Sequence, residues 1–216
     1  SEHLLKNVQT VLNDKGVRVP SIQYDGFELK GRMKYASDTC GWLQLNYQSE
    51  AGAVDADLEL KKTRMNGAIA VQSLNIARIL KRDSLPTLLD ADVDLNLNFT
   101  DKKIPVGTIH CTIPQVIFKN YPYKNINIDF NHDHRNLVAS VQSDDHNAAL
   151  NIQVVSQLEG SSLKNISTTA RVYRLHPKNL HLTSHFGGSS ISLNAESHLR
   201  EIDASKKFAF PEGILT

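Results

Sequence analysis

"VDADLELK", residues 54 to 61, decides the fold: Val54, Ala56, Leu58 and Leu60 alternate with Asp55, Asp57, Glu59 and Lys61. Successive side chains of an extended chain point to opposite faces, so a period of two describes a strand with one apolar and one polar face. The same beat returns at Leu43, Leu45 and Tyr47, and at Val93, Leu95, Leu97 and Phe99. It returns again at Ile126, Ile128 and Phe130, at Leu150, Ile152 and Val154, and at Ile191, Leu193 and Ala195.

Turn signals separate these runs: "SEAG" at 49 to 52, "RMNG" at 64 to 67, "NHDHRN" at 131 to 136, "SDDHN" at 143 to 147 and "HFGGSS" at 185 to 190. Connections this short join antiparallel neighbours, because a parallel pair needs a crossover of about a dozen residues. Helical spacing is confined to two places. Leu4, Leu5, Val8, Val11 and Leu12 predict a short helix or linker over residues 1 to 16. "LNIARILKRDSL", 74 to 85, predicts one or two turns closed by Pro86. The expected class is all-β: a mostly antiparallel sheet of about twelve strands with short helical connectors.

One phrase is written twice. "VPSIQYDGFELKG" (19 to 31) and "IPQVIFKNYPYKNINIDF" (113 to 130) match at an offset of 94, pairing Pro20 with Pro114. Residues 45 to 60 then fall on 141 to 156 at an offset of 96, Val71 and Leu74 on Val172 and Leu175 at 101, and "VDLNL" (93 to 97) on "ISLNA" (191 to 195) at 98. Four matches in order predict two copies of a unit, 17 to 112 and 113 to 210, followed by a tail at 211 to 216. A proline lacks the N–H a central ladder needs, and the inward parity changes at both prolines, which predicts a one-residue bulge at each. "NYPY" at 120 to 123 is expected to form the corner before a strand at Ile126.

Composition excludes several function classes. Lys and Arg total 24 against 23 for Asp and Glu, which leaves no global field to draw nucleic acid or an anionic membrane surface. Cys40 and Cys111 lie in no metal-ligand spacing and are expected to be unpaired, Cys111 as a small buried hydrophobe and Cys40 in a loop. His132 and His134 fall in a turn, and His181, His185 and His198 lack a completing ligand set, so no metal is expected. No GxSxG turn or glycine-rich phosphate loop is present, and Asp144, Asp145 and His146 read as a turn, so no enzyme and no cofactor is expected. No apolar run approaches the 18 to 20 residues of a membrane helix, and no leader-like segment opens the chain. The abrupt ends are expected to mark a piece of a longer protein.

What remains is the apolar face. Its residues fill the core of a sandwich in one architecture and line an open trough in another, and alternation leaves both open.

The order of a Pro-turned strand, "FKNYPYKNI" (118 to 126), a strand of the type "DHNAALNI" (145 to 152) and the connector "VQSLNIARIL" (71 to 80) resembles the periplasmic TamB/AsmA-like proteins, particularly those of Bacteroidota. The resemblance spans about residues 17 to 200 and consists of degenerate patterning. It implies a long curled sheet, a half-pipe or taco, in a protein anchored in the inner membrane of a Gram-negative bacterium and extended across the periplasm. It implies phospholipid acyl chains as cargo, outer-membrane biogenesis as the role and a TamA-like β-barrel as a possible partner. The residues expected to line the groove are Leu43, Leu45, Leu58, Val93, Leu95, Leu97, Ile126, Ile128, Leu150, Ile152 and Val154. The alternatives are a scaffold that assembles outer-membrane β-barrels by strand pairing, and an extracellular β-sandwich binding module.

Overall fold

Alternation makes each strand one-sided, and short turns make its partner the next strand in sequence. The computed structural model describes residues 11–13, 16–24, 27–37, 40–82, 84–99, 105–159, 162–183 and 188–203, with side chains described between residues 41 and 200. The strands are β1 (Val11–Asn13), β2 (Gly16–Tyr24), β3 (Phe27–Ser37), β4 (Cys40–Ser49), β5 (Gly52–Lys61), β6 (Arg64–Gln72), β7 (Leu88–Asn98), β8 (Val106–Phe118), β9 (Tyr121–His132), β10 (Asn136–Asp144), β11 (Ala148–Glu159), β12 (Ser162–Leu175) and β13 (Ile191–Asp203). One helix, α1 (Ile76–Leu80), lies between β6 and β7. All strands join one sheet in sequence order from β1 to β13, every neighbour antiparallel, and the sheet does not close. Among the described residues no second sheet packs on it, so the sandwich alternative is not the architecture formed.

Both prolines sit at bulges. In β2 the register passes from Val19 opposite Gly31 to Ile22 opposite Leu29, which inserts one extra residue at Pro20. In β8 it passes from Thr112 opposite Asp92 to Gln115 opposite Asp90, which does the same at Pro114. The bulge removes the ladder bond that proline cannot make.

Several local expectations give way. Leu4, Leu5 and Val8 lie outside the described residues, but Val11 and Leu12 pair with Arg18 and Val17 in β1, so the expected helix does not reach them. "RMNG" is not a turn: Arg64 to Gly67 open β6, and the turn is Lys62 and Thr63, with Lys62 in the left-handed region. "NYPY" is not a corner either. The turn is Lys119 and Asn120, both left-handed, and Tyr121, Pro122 and Tyr123 already belong to β9. Pro122 is tolerated because β10 pairs with β9 only from Ile126 onward, leaving that edge of β9 free. Cys40 opens β4 instead of lying in a loop, and Cys111 is free and only half-buried. The expected unit boundary after residue 112 falls inside β8.

Gly67 and Gly107 each hold a positive φ within a strand. A Cβ at Gly67 would run into the Asp57 carbonyl, and one at Gly107 into the Asn96 carbonyl. Gly67→Ala and Gly107→Ala should therefore each cost about 2 kcal/mol or more, read as a shift in the urea midpoint at unchanged m-value.

Candidate functional site

The register assembles the apolar positions of all these strands into rows that run across the sheet. In one row Leu43 faces Leu58, Leu58 faces Gly67, Gly67 faces Leu95 and Leu95 faces Ile109. The row continues through Phe130, Ala139 and Val154. A parallel row holds Leu45, Ala56, Ile69, Val93, Cys111, Ile128, Val141, Ile152, Ala170 and Ala195. A third runs from Ile113 through Ile126, Ser143, Leu150 and Val172 to Leu193.

Ten of the eleven residues expected to line a groove lie in these three rows. The eleventh, Leu97, lies on the same face at its margin, beside Met65 and Gly107. Sequence reading missed Ile69, Ile109, Val141 and the thiol of Cys111. The strand of Ile69 carries Gly67, Ala68 and Ala70, which weaken the contrast between its faces.

The middle of this face is half-exposed. Ile128, on a strand with neighbours on both sides, keeps 37% of its surface, and Leu193 and Leu199 on β13 keep 53% and 52%. The well-buried apolar residues sit instead toward the strand ends: Ala91 and Ala148 at one end, Leu97, Leu158 and Ile166 at the other. Between Ala91 and Leu97 the open band is about 20 Å wide, and from β4 to β13 it runs about 43 Å.

Two connectors make the first rim. In α1 the Asn75 side chain accepts from the Arg78 N–H at 2.8 Å as an N-cap. Lys81 in the left-handed region closes the helix, where Pro86 was expected to, and the Arg82 N–H bonds the Ala77 carbonyl at 2.9 Å. The segment is tied to the β4–β5 turn by the Asn75 N–H donating to the Ala51 carbonyl. The second connector follows β12. Its His176 N–H donates to the Asn147 carbonyl, and Leu180 is fully buried against the sheet, where the Tyr123 hydroxyl donates to its carbonyl at 3.4 Å. His181 donates through Nδ1 to the Lys119 carbonyl at 2.8 Å, and its ring meets that of Tyr121 edge-on.

Asp145 pins this corner. Its buried carboxylate accepts from the Tyr121 hydroxyl at 2.6 Å and from the backbone N–H groups of Lys124 and Asn147 at 3.0 and 2.8 Å. Burial and the Asp145 hydrogen bond push the Tyr121 phenol above its usual value, and burial followed by the Asp145 charge does the same for Tyr123. At the other rim, buried His132 donates through Nδ1 to the Pro105 carbonyl at 2.7 Å.

The reverse face is polar. Gln44, Asp57, Asp94, His110 and Asp129 follow one another there, and His110 bonds Asp129 at 2.6 Å. Among the described residues no group of three His, Cys, Asp or Glu side chains is placed to hold a metal, and His181 and His198 lie on a connector and on β13 without converging. His185 lies outside the described residues. No described helix is long and apolar enough to cross a membrane. The Cys111 thiol is held above its ordinary value by burial and then by the Asp92 charge, which makes it a slow nucleophile at neutral pH.

Asp145→Ala should destabilise the chain by about 2 to 3 kcal/mol in urea unfolding, because three donors lose a buried acceptor. A raised phenol means that the folded chain holds its proton more tightly than the unfolded chain. That contribution is complete below the ordinary tyrosine value of about 10 and is lost as pH rises through the folded one. Stability should therefore fall above about pH 10, and Tyr123→Phe should flatten that slope. Comparison with protein-family models, with curated proteins and with solved structures returned no match.

Proposed function

We propose that the chain is a segment of a TamB/AsmA-like periplasmic protein, in which the sheet curls into a trough whose apolar face carries phospholipid acyl chains between membranes. The observation that carries this reading is the continuous apolar face across ten strands, with no second layer over it among the described residues and buried residues toward both ends of the strands. An acyl chain laid on such a face hides roughly half its surface, which at about 0.8 kcal/mol per fully buried methylene amounts to about 6 kcal/mol for a sixteen-carbon tail. That is enough to hold a tail out of water and small enough to let it move on. In this reading the headgroup stays in water, no chemistry is needed, and the membrane anchor and a TamA-like partner belong to other parts of the protein.

The trough is read as two six-strand units, β2 to β7 and β8 to β13. Support comes from the register: Leu45 faces Ala56 as Val141 faces Ile152, and Ile69 faces Val93 as Ala170 faces Ala195. The connectors repeat too. Asn75 bonds Ala51 as His176 bonds Asn147, and Arg82 bonds Ala77 as Leu182 bonds Pro177. In this reading the boundary between the units lies between β7 and β8, and Val93 corresponds to Ala195.

The second reading, a scaffold for outer-membrane β-barrel assembly, rests on the outer edge of β13, which among the described residues has a partner only on the β12 side. A client strand peptide should then slow amide exchange in β13 selectively.

The test of the lipid reading is Leu95→Asp and Ile152→Asp. Each should lower co-purified phospholipid at least threefold while the strand signal in circular dichroism persists. Unfolding of both variants would show a closed core and sink the trough. In a Cys40→Ser background, phospholipid vesicles should also slow maleimide labelling of Cys111.

A further inference from the structure

Period two breaks once near the end of β12, and the break decides which face two arginines occupy. Val172 stands opposite Leu150 on one side and Leu193 on the other, all on the apolar face. Leu175 returns to that face opposite Ala148 and Ile191, so Tyr173 and Arg174 together fill the interval that holds Ala149 alone in β11 and Ser192 alone in β13. One extra residue in the middle strand of three is a bulge. Its consequence is chemical. Arg174 comes opposite Ala149 on the reverse, polar face, whereas unbroken alternation would have turned it to the apolar one. Arg171, opposite Asn151 and Asn194, is already there.

An open cavity of about 570 Å³ lies over β12 and β13, lined by Arg171, Val172, Tyr173, Ser192, Leu193 and Asn194. Each polar side chain in that lining, a guanidinium, a phenol, a hydroxyl and an amide, can donate a hydrogen bond. Tyr173 keeps 61% of its surface exposed. Beside the cavity the Arg174 Nε is buried and has no hydrogen-bond partner among the described residues. The ion pairs formed among the described residues involve neither arginine. The carboxylates of the polar face named above, Asp57, Asp94 and Asp129, stand far away on β5, β7 and β9, so the charge of that face changes sign toward β12.

We propose that this cavity binds a phosphate ester, with the phosphate on the Arg171 guanidinium and the esterified group over the exposed Tyr173 ring. A carboxylate is satisfied by one guanidinium fork and would leave the hydroxyl and amide of β13 idle. The three terminal oxygens of a phosphate monoester use donors from both strands, Arg171 on one and Ser192 and Asn194 on the other. Arg174 adds a second positive charge at the margin. The volume falls within the range of about 300 to 1,000 Å³ usual for small-molecule sites, which leaves room for a ring beside the phosphate. The cavity is on the face opposite the trough, so it does not depend on the lipid reading.

The experiment titrates the full chain with phenyl phosphate by calorimetry at physiological ionic strength. Saturable one-to-one binding is expected, at least fivefold tighter than binding of benzoate or of inorganic phosphate. Arg171→Ala should weaken it at least tenfold, and Arg171→Lys, which keeps the charge and loses the fork, at least threefold. Tyr173→Leu should weaken phenyl phosphate at least threefold and leave inorganic phosphate unchanged. All three substitutions replace exposed side chains, and an unchanged urea midpoint confirms that folding is intact. Vesicles containing phosphatidic acid separate the two sources of the ester: retention of the chain that is lost in Arg171→Ala assigns a lipid headgroup, and retention unaffected by Arg171→Ala assigns a soluble ester. Absence of saturable phenyl phosphate binding, equal affinity for benzoate, or an Arg171→Ala variant that binds as the parent chain does overturns the proposal.

Discussion

Everything in the described residues depends on one constraint: among them each strand is paired only with its neighbours in sequence, in a single layer. In a sandwich, side chains from a second sheet about 10 Å away would take the apolar face out of water. Here the strands have only their lateral neighbours, and the face stays half-open from β4 to β13. The stability that a second layer usually supplies must come from elsewhere. It comes from long ladders of nine to fourteen residues in β2 to β13, from cross-strand apolar pairs worth a few tenths to about 1 kcal/mol each, and from the two buried rims.

Those rims explain where polar groups were admitted to the interior. Asp145 and His132 are buried, yet both have specific backbone or hydroxyl partners. Neither lies in the open band. The Asp145 carboxylate fixes the turn between β10 and β11 to the start of β9, and the second connector rests on the same tyrosines. At the turn between β4 and β5 the Ala51 N–H bonds the Ser49 hydroxyl at 2.9 Å, as the Asn147 N–H bonds Asp145 at the turn between β10 and β11. A hydroxyl and a carboxylate thus do the same geometric task in two turns.

The strands and their shared face were legible because both are local. A period of two needs only a few residues to declare itself, and once short turns force antiparallel neighbours, the apolar sets of adjacent strands meet. Ten of the eleven predicted groove residues therefore fell into the three central rows. What the sequence hid was non-local or masked by small residues. Gly67 suggested a turn, but it is there because the Asp57 carbonyl leaves no room for a Cβ. Leu12 suggested a helix, and pairing with Val17 overrode that spacing. Pro122 suggested a corner, although a proline on an unpaired edge has no bond to break.

The bulges carry the final step of the argument. An unbroken period-two strand keeps one parity inward along its whole length, and a sheet of such strands has no local site of bending. One added residue at Pro20 and another at Pro114 reverses parity and increases local twist. They fall in β2 and β8, and in both cases the proline is what removes the ladder bond. The β2 bulge lies in its pairing with β3 and the β8 bulge in its pairing with β7, so each gives the sheet a local site of bending between one pair of neighbouring strands.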